Sequence, residues 1–135
     1  MGLPLILFVS ANQSQASLFR IHLKQAGYDV FQIARGENIL ATLKHANPQL
    51  AIVDWDLPDM SALAVTRAVR MVPGYARLPI ILSGRAISSE NKILALEAGA
   101  DLCLDGIVTP NELVARVRAM LRRVKVPVQV GRAGW

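Results

Sequence analysis

The sequence predicts an α/β fold, with five parallel strands in one sheet wrapped on both faces by helices as a (βα)5 three-layer sandwich. Three observations predict it. Short apolar runs bounded by turn residues alternate five times with segments of helical period. A hydrophobic content of 53% and a mean hydropathy of +0.35 suit strands covered on both faces. At 135 residues the chain has room for one complete core and no second one.

Taken in order, the first strand is expected over residues 5–9, Leu-Ile-Leu-Phe-Val, an apolar run without a basic flank and far too short to span a bilayer. Ala16, Phe19, Leu23 and Ala26 mark the first helix, closed by Gly27 as its C-terminal cap. Residues 28–33 read as the second strand, and Ile39, Leu40 and Leu43 as the second helix. Residues 50–54 form the third strand, ending at Asp54 before the loop Trp55-Asp56-Leu57-Pro58. Leu63, Ala64, Ala68 and Val72 mark the third helix, and residues 79–82 the fourth strand. Ile93, Leu94 and Leu96 mark the fourth helix, entered through Ser88-Ser89 and ended by Gly99. Residues 101–104 make the fifth strand. Thr109-Pro110-Asn111-Glu112 is a capping box with proline at the first helical position, and the last helix follows through Leu113, Val117, Met120 or Leu121, and Val124. Repeated strand–helix units imply right-handed crossovers in a doubly wound parallel sheet, for which the flavodoxin-like order 2-1-3-4-5 leads. Residues 1–124 are therefore expected to form the domain, and residues 125–135 a tail or the start of a linker.

The formal net charge of +5 is concentrated near the C-terminus, in Arg116, Arg118, Arg122, Arg123, Lys125 and Arg132. It reads as a solvated last helix followed by a basic linker, with no nucleic-acid contact by this domain. The single cysteine, Cys103, sits in an apolar segment as an inert buried thiol, and a reducing, cytoplasmic setting follows. No membrane segment is expected. An enzyme is not expected either. Ser10-Ala11-Asn12-Gln13-Ser14-Gln15 has no glycine for close approach to a phosphate, and neither a nucleophile elbow nor a Cys/His metal cluster is present.

The residue that stands out is Asp54, a carboxylate at the C-terminal tip of a buried strand, where open α/β sheets gather their ligands. The strand order brings Ser10, Ala11 and Asn12 beside it across one crevice, with Ser83-Gly84 and Leu104-Asp105-Gly106 as the other wall. Ser10 and Asn12 read as strand-end residues satisfying local backbone groups. Asp56 and Asp59 read as solvated loop acids, His22 and His45 as surface histidines, and Trp55 as a gate to the crevice or an ordinary loop tryptophan.

Three stretches carry a resemblance: Asp54-Trp55-Asp56-Leu57-Pro58-Asp59-Met60-Ser61-Ala62, Leu96-Glu97-Ala98-Gly99-Ala100-Asp101, and Glu112-Leu113-Val114-Ala115-Arg116-Val117-Arg118-Ala119-Met120-Leu121-Arg122-Arg123. Over residues 4–124 the chain resembles the receiver domain of two-component response regulators, most of all those of OmpR/PhoB type, whose receiver precedes a winged-helix DNA-binding domain. The resemblance implies that Asp54 matches the aspartate that accepts a phosphoryl group from a histidine kinase or a small phosphodonor. It implies an acid pair after the first strand that holds Mg²⁺ with that aspartate, since a hard dication takes oxygen ligands. It also implies a phosphate-binding lysine followed by proline after strand five, and a switching Thr or Ser after strand four.

This chain departs at each of these positions. Ser10 and Ala11 match the acid pair, Gly106 and Ile107 the lysine and proline, and Gly84 the switching hydroxyl, with Ser83 available one residue earlier. Cys103 stands at the aromatic switch position on strand five. The expected function is an atypical signalling receiver that works by protein–protein contact without normal Mg²⁺-dependent phosphorylation, and with no cofactor. The alternatives are a working phosphoacceptor, which would use Mg²⁺ and control an output domain absent from this chain, and a small-molecule-binding α/β module. The expected partners are a histidine kinase or another signalling protein. Similarity to OmpR/PhoB-type receivers further implies a homodimer through helix four, strand five and helix five. Lys92 and Glu112 match one ion pair there; Asp101 and Arg116 match further positions on that face.

Overall fold

The computed structural model describes residues 2–125. The strands are β1 (Leu5–Val9), β2 (Asp29–Ile33), β3 (Leu50–Asp54), β4 (Ile80–Gly84) and β5 (Leu102–Asp105). The helices are α1 (Gln13–Gln25), α2 (Ile39–Ala46) after a short 3-10 turn (Gly36–Asn38), α3 (Ala62–Arg70), α4 (Ser89–Ala98) and α5 (Pro110–Lys125). The sheet runs β2-β1-β3-β4-β5 with every pairing parallel, the order the sequence predicts. Residues 126–135, most of the expected tail, lie outside the described residues. Among the described residues no helix is long and apolar enough to cross a membrane.

Side chains alternate across each strand, which divides the core in two. Ile6, Phe8, Ile52 and Ile81 pack with Phe19 and Leu23 of α1 and Leu113 and Val117 of α5. Leu7, Val9, Val53, Ile80 and Leu82 pack on the other face with Ile39 and Leu43 of α2 and Val65 and Val69 of α3. Helices α1, α3, α4 and α5 start on side-chain caps: Asn12, Ser61, Ser88 and Thr109 each accept from the backbone N–H three residues on. Gly99, at φ 116°, ends α4 in the left-handed region.

Several expected details differ. Strands β4 and β5 begin and end later than predicted; they run on at their ends because Ser83 still pairs with Leu104 and Gly84 with Asp105 across the sheet. In α3 the buried residues are Ala62, Val65, Thr66 and Val69, one step away from the predicted stripe. Ser61 fixes the phase of that helix, and Thr66 enters the core because its hydroxyl bonds the Ala62 carbonyl at 2.8 Å. Leu40 is exposed, whereas Ile39 and Leu43 are buried. In α5 both Met120 and Leu121 are buried; the side chain of Val124 lies outside the described residues. The largest departure is α4, where Ile93 (56%), Leu94 (43%) and Leu96 (52%) are exposed and Ala95 is the buried residue. A small alanine lets the helix lie close to the sheet along a narrow line, which turns the larger side chains outward.

One arginine ties the far end of the sheet together. Arg70 donates to the carbonyls of Gly99, Tyr75 and Leu78 and to Asp101 Oδ2, linking α3, the turn before β4 and the turn before β5. Asp101 also accepts from the Ile80 N–H at 2.8 Å.

Candidate functional site

Order β2-β1-β3 reverses the chain direction of travel across the sheet between β1 and β3, and a cleft of about 540 Å³ opens at those strand ends. Asp54 lines it together with Asn12, Ser83, Gly84, Arg85 and Gly106. The predicted neighbours therefore converge. Ser10 donates its hydroxyl to Asp54 Oδ2 at 3.1 Å, and the Asp56 N–H donates to Asp54 Oδ1 at 3.1 Å.

Ser10 is held on every side. It is fully buried; its N–H donates to the Ile33 carbonyl, its carbonyl accepts from Gln32 Nε2, and its hydroxyl accepts from the Asn12 N–H. The strand-end reading of Ser10 is thus half of its role, and the bond to Asp54 is the other half. Asn12 caps α1 through the Gln15 N–H. Ala11 is exposed and brings no polar side-chain atom to the cleft. Among the described residues no three His, Cys, Asp or Glu side chains form a group able to hold a metal ion. A hydroxyl already engaged with the carboxylate and a methyl group do not fit a hard dication.

The other wall is equally informative. A Cβ built on Gly84 would lie 2.7 Å from Trp55 Cβ and 3.0 Å from Ile87 Cγ1, so Trp55 and Ile87 already fill the place of a side chain there. Ser83, paired beside Asp54 in the sheet register, is the hydroxyl-bearing residue that lines this wall. Trp55 is partly buried against the core, with Leu82 and Val53 in the same cluster. At Gly106 a Cβ would meet nothing within 4 Å, and the next residue, Ile107, is 86% exposed. The cleft is open where the resemblance places a lysine.

Three residues escaped the sequence reading as participants. Arg85, directly after β4, lines the same cleft as Asp54 and Asp56; its signal was a cation next to a strand end. Asp105 was read as part of a wall, yet its Oδ1 accepts from the Ile87 N–H at 2.8 Å and its Oδ2 pairs with Lys92 Nζ at 3.2 Å. The Ile87 amide and Lys92 hold its carboxyl below the usual range. Its signal was the pattern of Asp54 repeated: an acid closing an apolar run. Asp59 is no solvated loop acid, since it accepts from the N–H groups of Gly36 and Glu37 at 2.9 and 2.8 Å. Desolvation opposes ionisation there, but the Glu37 and Gly36 amides outweigh it and depress its pKa.

The remaining predicted residues lie away from the cleft. His22 contacts the Leu18 carbonyl on α1, and His45 is exposed on α2. Cys103 is half-buried, less than expected, and burial pushes its thiol up. The residues of the predicted dimer face all have partners within the chain: Lys92 with Asp105, Glu112 with Arg116 at 3.6 Å, and Asp101 with Arg70 at 3.1 Å.

Residues 6–118 match the family described as the response regulator receiver domain. The chain belongs to that family. It is 40% identical over 130 residues to the phosphate regulon transcriptional regulatory protein PhoB of Rhizobium meliloti, covering 93% of this chain and 56% of that protein. With the DNA-binding response regulator MtrA of Mycobacterium tuberculosis it shares 36% over 118 residues, covering 87% and 50%. This receiver thus spans about half the length of the curated relatives it matches. Among solved structures it resembles a response regulator from Chloroflexus aurantiacus, with a TM-score of 0.83 at 30% identity, covering 90% of this chain and 99% of the other. A CheY-like receiver domain of Methanospirillum hungatei gives a TM-score of 0.84 at 25% identity, covering 90% and 96%.

Proposed function

We propose that this receiver signals by protein–protein contact and does not undergo normal Mg²⁺-dependent phosphorylation at Asp54. The observation that carries the reading is the company Asp54 keeps: Ser10 and the Asp56 N–H take its two oxygens, while Ala11 and Gly106 leave the metal and phosphate positions without charge. Phosphoryl transfer needs the charge on the equatorial oxygens neutralised as it passes. Arg85 lines the cleft, but the negative groups that would hold a divalent ion are reduced to Asp54 and the exposed Asp56. No cofactor is needed for a contact function.

The partners on this reading are a histidine kinase or another signalling protein, in the cytoplasm, and a second copy through the face made by α4, β5 and α5. Exposed Ile93 and Leu96 of α4 supply apolar surface for that face. The relatives named as transcriptional and DNA-binding regulators are about twice as long, which supports control of an output domain outside this chain, with nucleic acid bound there and not by the receiver.

The test is incubation with acetyl phosphate, with and without Mg²⁺, read by intact mass. The expected result is no phosphoryl adduct in either condition. A Mg²⁺-dependent adduct that disappears in Asp54→Asn would establish the alternative, a working phosphoacceptor.

A further inference from the structure

We propose that Asp105 is a positioning residue, a latch that ties the turn after β4 and the start of α4 to the end of β5 and so sets the pose of the exposed apolar α4 face. Its two oxygens act on different parts of the chain. Oδ1 accepts from the Ile87 N–H, the residue just before the cap Ser88, and Oδ2 pairs with Lys92 in the first half of α4. Ile87 is itself fixed from inside: its side chain is buried and, with Trp55, occupies the space beside Gly84. The same turn is therefore gripped by packing on one side and by a carboxylate on the other.

The helix depends on such a tether because its own packing is thin. Ala95 is the buried residue of α4, and one small side chain yields little apolar burial. Helices of this length draw their stability from tertiary contact more than from intrinsic propensity. Polar anchors at the N-terminal end then decide where the helix lies. A hydrogen bond from a backbone N–H to a carboxylate is stronger than one to a neutral acceptor, and removing the acceptor strands the N–H. That the α4 face is a contact surface rests on the reading above. The latch does not, because it belongs to the isolated chain.

Amide hydrogen exchange on the full chain tests it, comparing wild type with Asp105→Ala, Asp105→Asn and Lys92→Met. In Asp105→Ala, exchange at the Ile87 and Lys92 amides should rise roughly ten- to hundredfold, while the Leu7 and Phe8 amides of β1 keep their wild-type rates. Asp105→Asn keeps a carbonyl acceptor and should return most of the protection at Ile87. Lys92→Met should loosen the Lys92 amide more than that of Ile87. Unchanged protection at Ile87 in Asp105→Ala overturns the latch, as does an Asn variant no better than Ala. An equal loss across β1 and α4 overturns it too, since Asp105 would then serve stability in general. None of these rates depends on a partner, a metal or a phosphodonor, so a failed latch and a failed contact function would be told apart.

Discussion

Helices α4 and α5 lie in opposite layers of the same sheet and use their apolar residues in opposite ways. Helix α5 turns Leu113, Val114, Val117, Met120 and Leu121 into the core. Helix α4 carries Ile93, Leu94 and Leu96 as well, yet buries Ala95 and shows the larger three to solvent. Hydrophobic residues inside is a one-way rule: a buried residue is usually apolar, but an apolar residue need not be buried. The difference teaches that α5 is scaffold and α4 is surface. A cluster of exposed aliphatic side chains on one helix is what a contact face requires.

The largest expected effect tests that division directly. Leu113→Ala removes a fully buried side chain and should cost about 2 to 5 kcal/mol of unfolding free energy. Ile93→Ala and Leu96→Ala should each stay within about 0.5 kcal/mol, as exposed substitutions do. Urea denaturation reads both. A comparable loss at Ile93 or Leu96 would mean that α4 packs as α5 does, and the comparison would break.

A smaller effect is expected at Gly84, where α4's turn meets the cleft. Gly84→Thr restores the hydroxyl type that the resemblance expects but places Cβ against Trp55 and Ile87. Overpacking of this kind should destabilise by about 1 to 3 kcal/mol, with Trp55 fluorescence shifting as its ring is pushed aside. A Gly84→Thr variant as stable as wild type, with unchanged emission, would show the turn to be slack and would weaken the case for a fixed α4.

What the sequence made legible, and what it hid, follows the same line. The strands could be read because buried parallel strands are continuous apolar runs, and α5 because its stripe, capping box and proline agree. Asp54 and its neighbourhood followed from strand order alone. In α3 the predicted stripe was one step out of phase and left out Thr66, although a hydroxyl that bonds its own helix can be buried. In α4 it failed because period says which residues share a face and not whether anything covers that face. Asp59 and Asp105 were missed as tethers for a different reason: each bonds backbone N–H groups far along the chain, and backbone donors leave no trace in residue type.

Those two carboxylates predict a pH response, smaller than the packing effects. Both have pKa values lowered in the folded chain from the ordinary 3.8, Asp105 by the Ile87 amide and Lys92, Asp59 by the Glu37 and Gly36 amides against an opposing desolvation. A depressed folded value stabilises the fold above the unfolded pKa, and that contribution is lost as pH falls through the folded one. Unfolding free energy should therefore decline with acidification below about pH 4, and less steeply in Asp59→Asn. Identical acid limbs for Asp59→Asn and wild type would remove Asp59 from the account.

The smallest effect concerns the ions on the α4–β5–α5 face. Lys92 is held by Asp105 and Glu112 by Arg116 within the chain, so a second copy would have to share or exchange pairs that already exist. Exposed pairs are worth about 0 to 1 kcal/mol each, and exchange between equals gains less. If this face joins two copies across a two-fold axis, each contact occurs twice, and the apolar side chains must carry the affinity while the ions set register. Sedimentation should then show a weak wild-type dimer that Ile93→Asp or Leu96→Asp abolishes. Glu112→Lys should shift its dissociation constant by less than about tenfold, because one exposed pair per subunit is at stake. The full charge swap is a poor rescue in this chain, since Lys92→Glu would set a second acid against Asp105 at the latch. A dimer lost in Glu112→Lys yet kept in Ile93→Asp would place the energy in the ions and reverse the assignment of α4 as the contact surface. A wild type that stays monomeric at high concentration would leave the α4 face to a different partner.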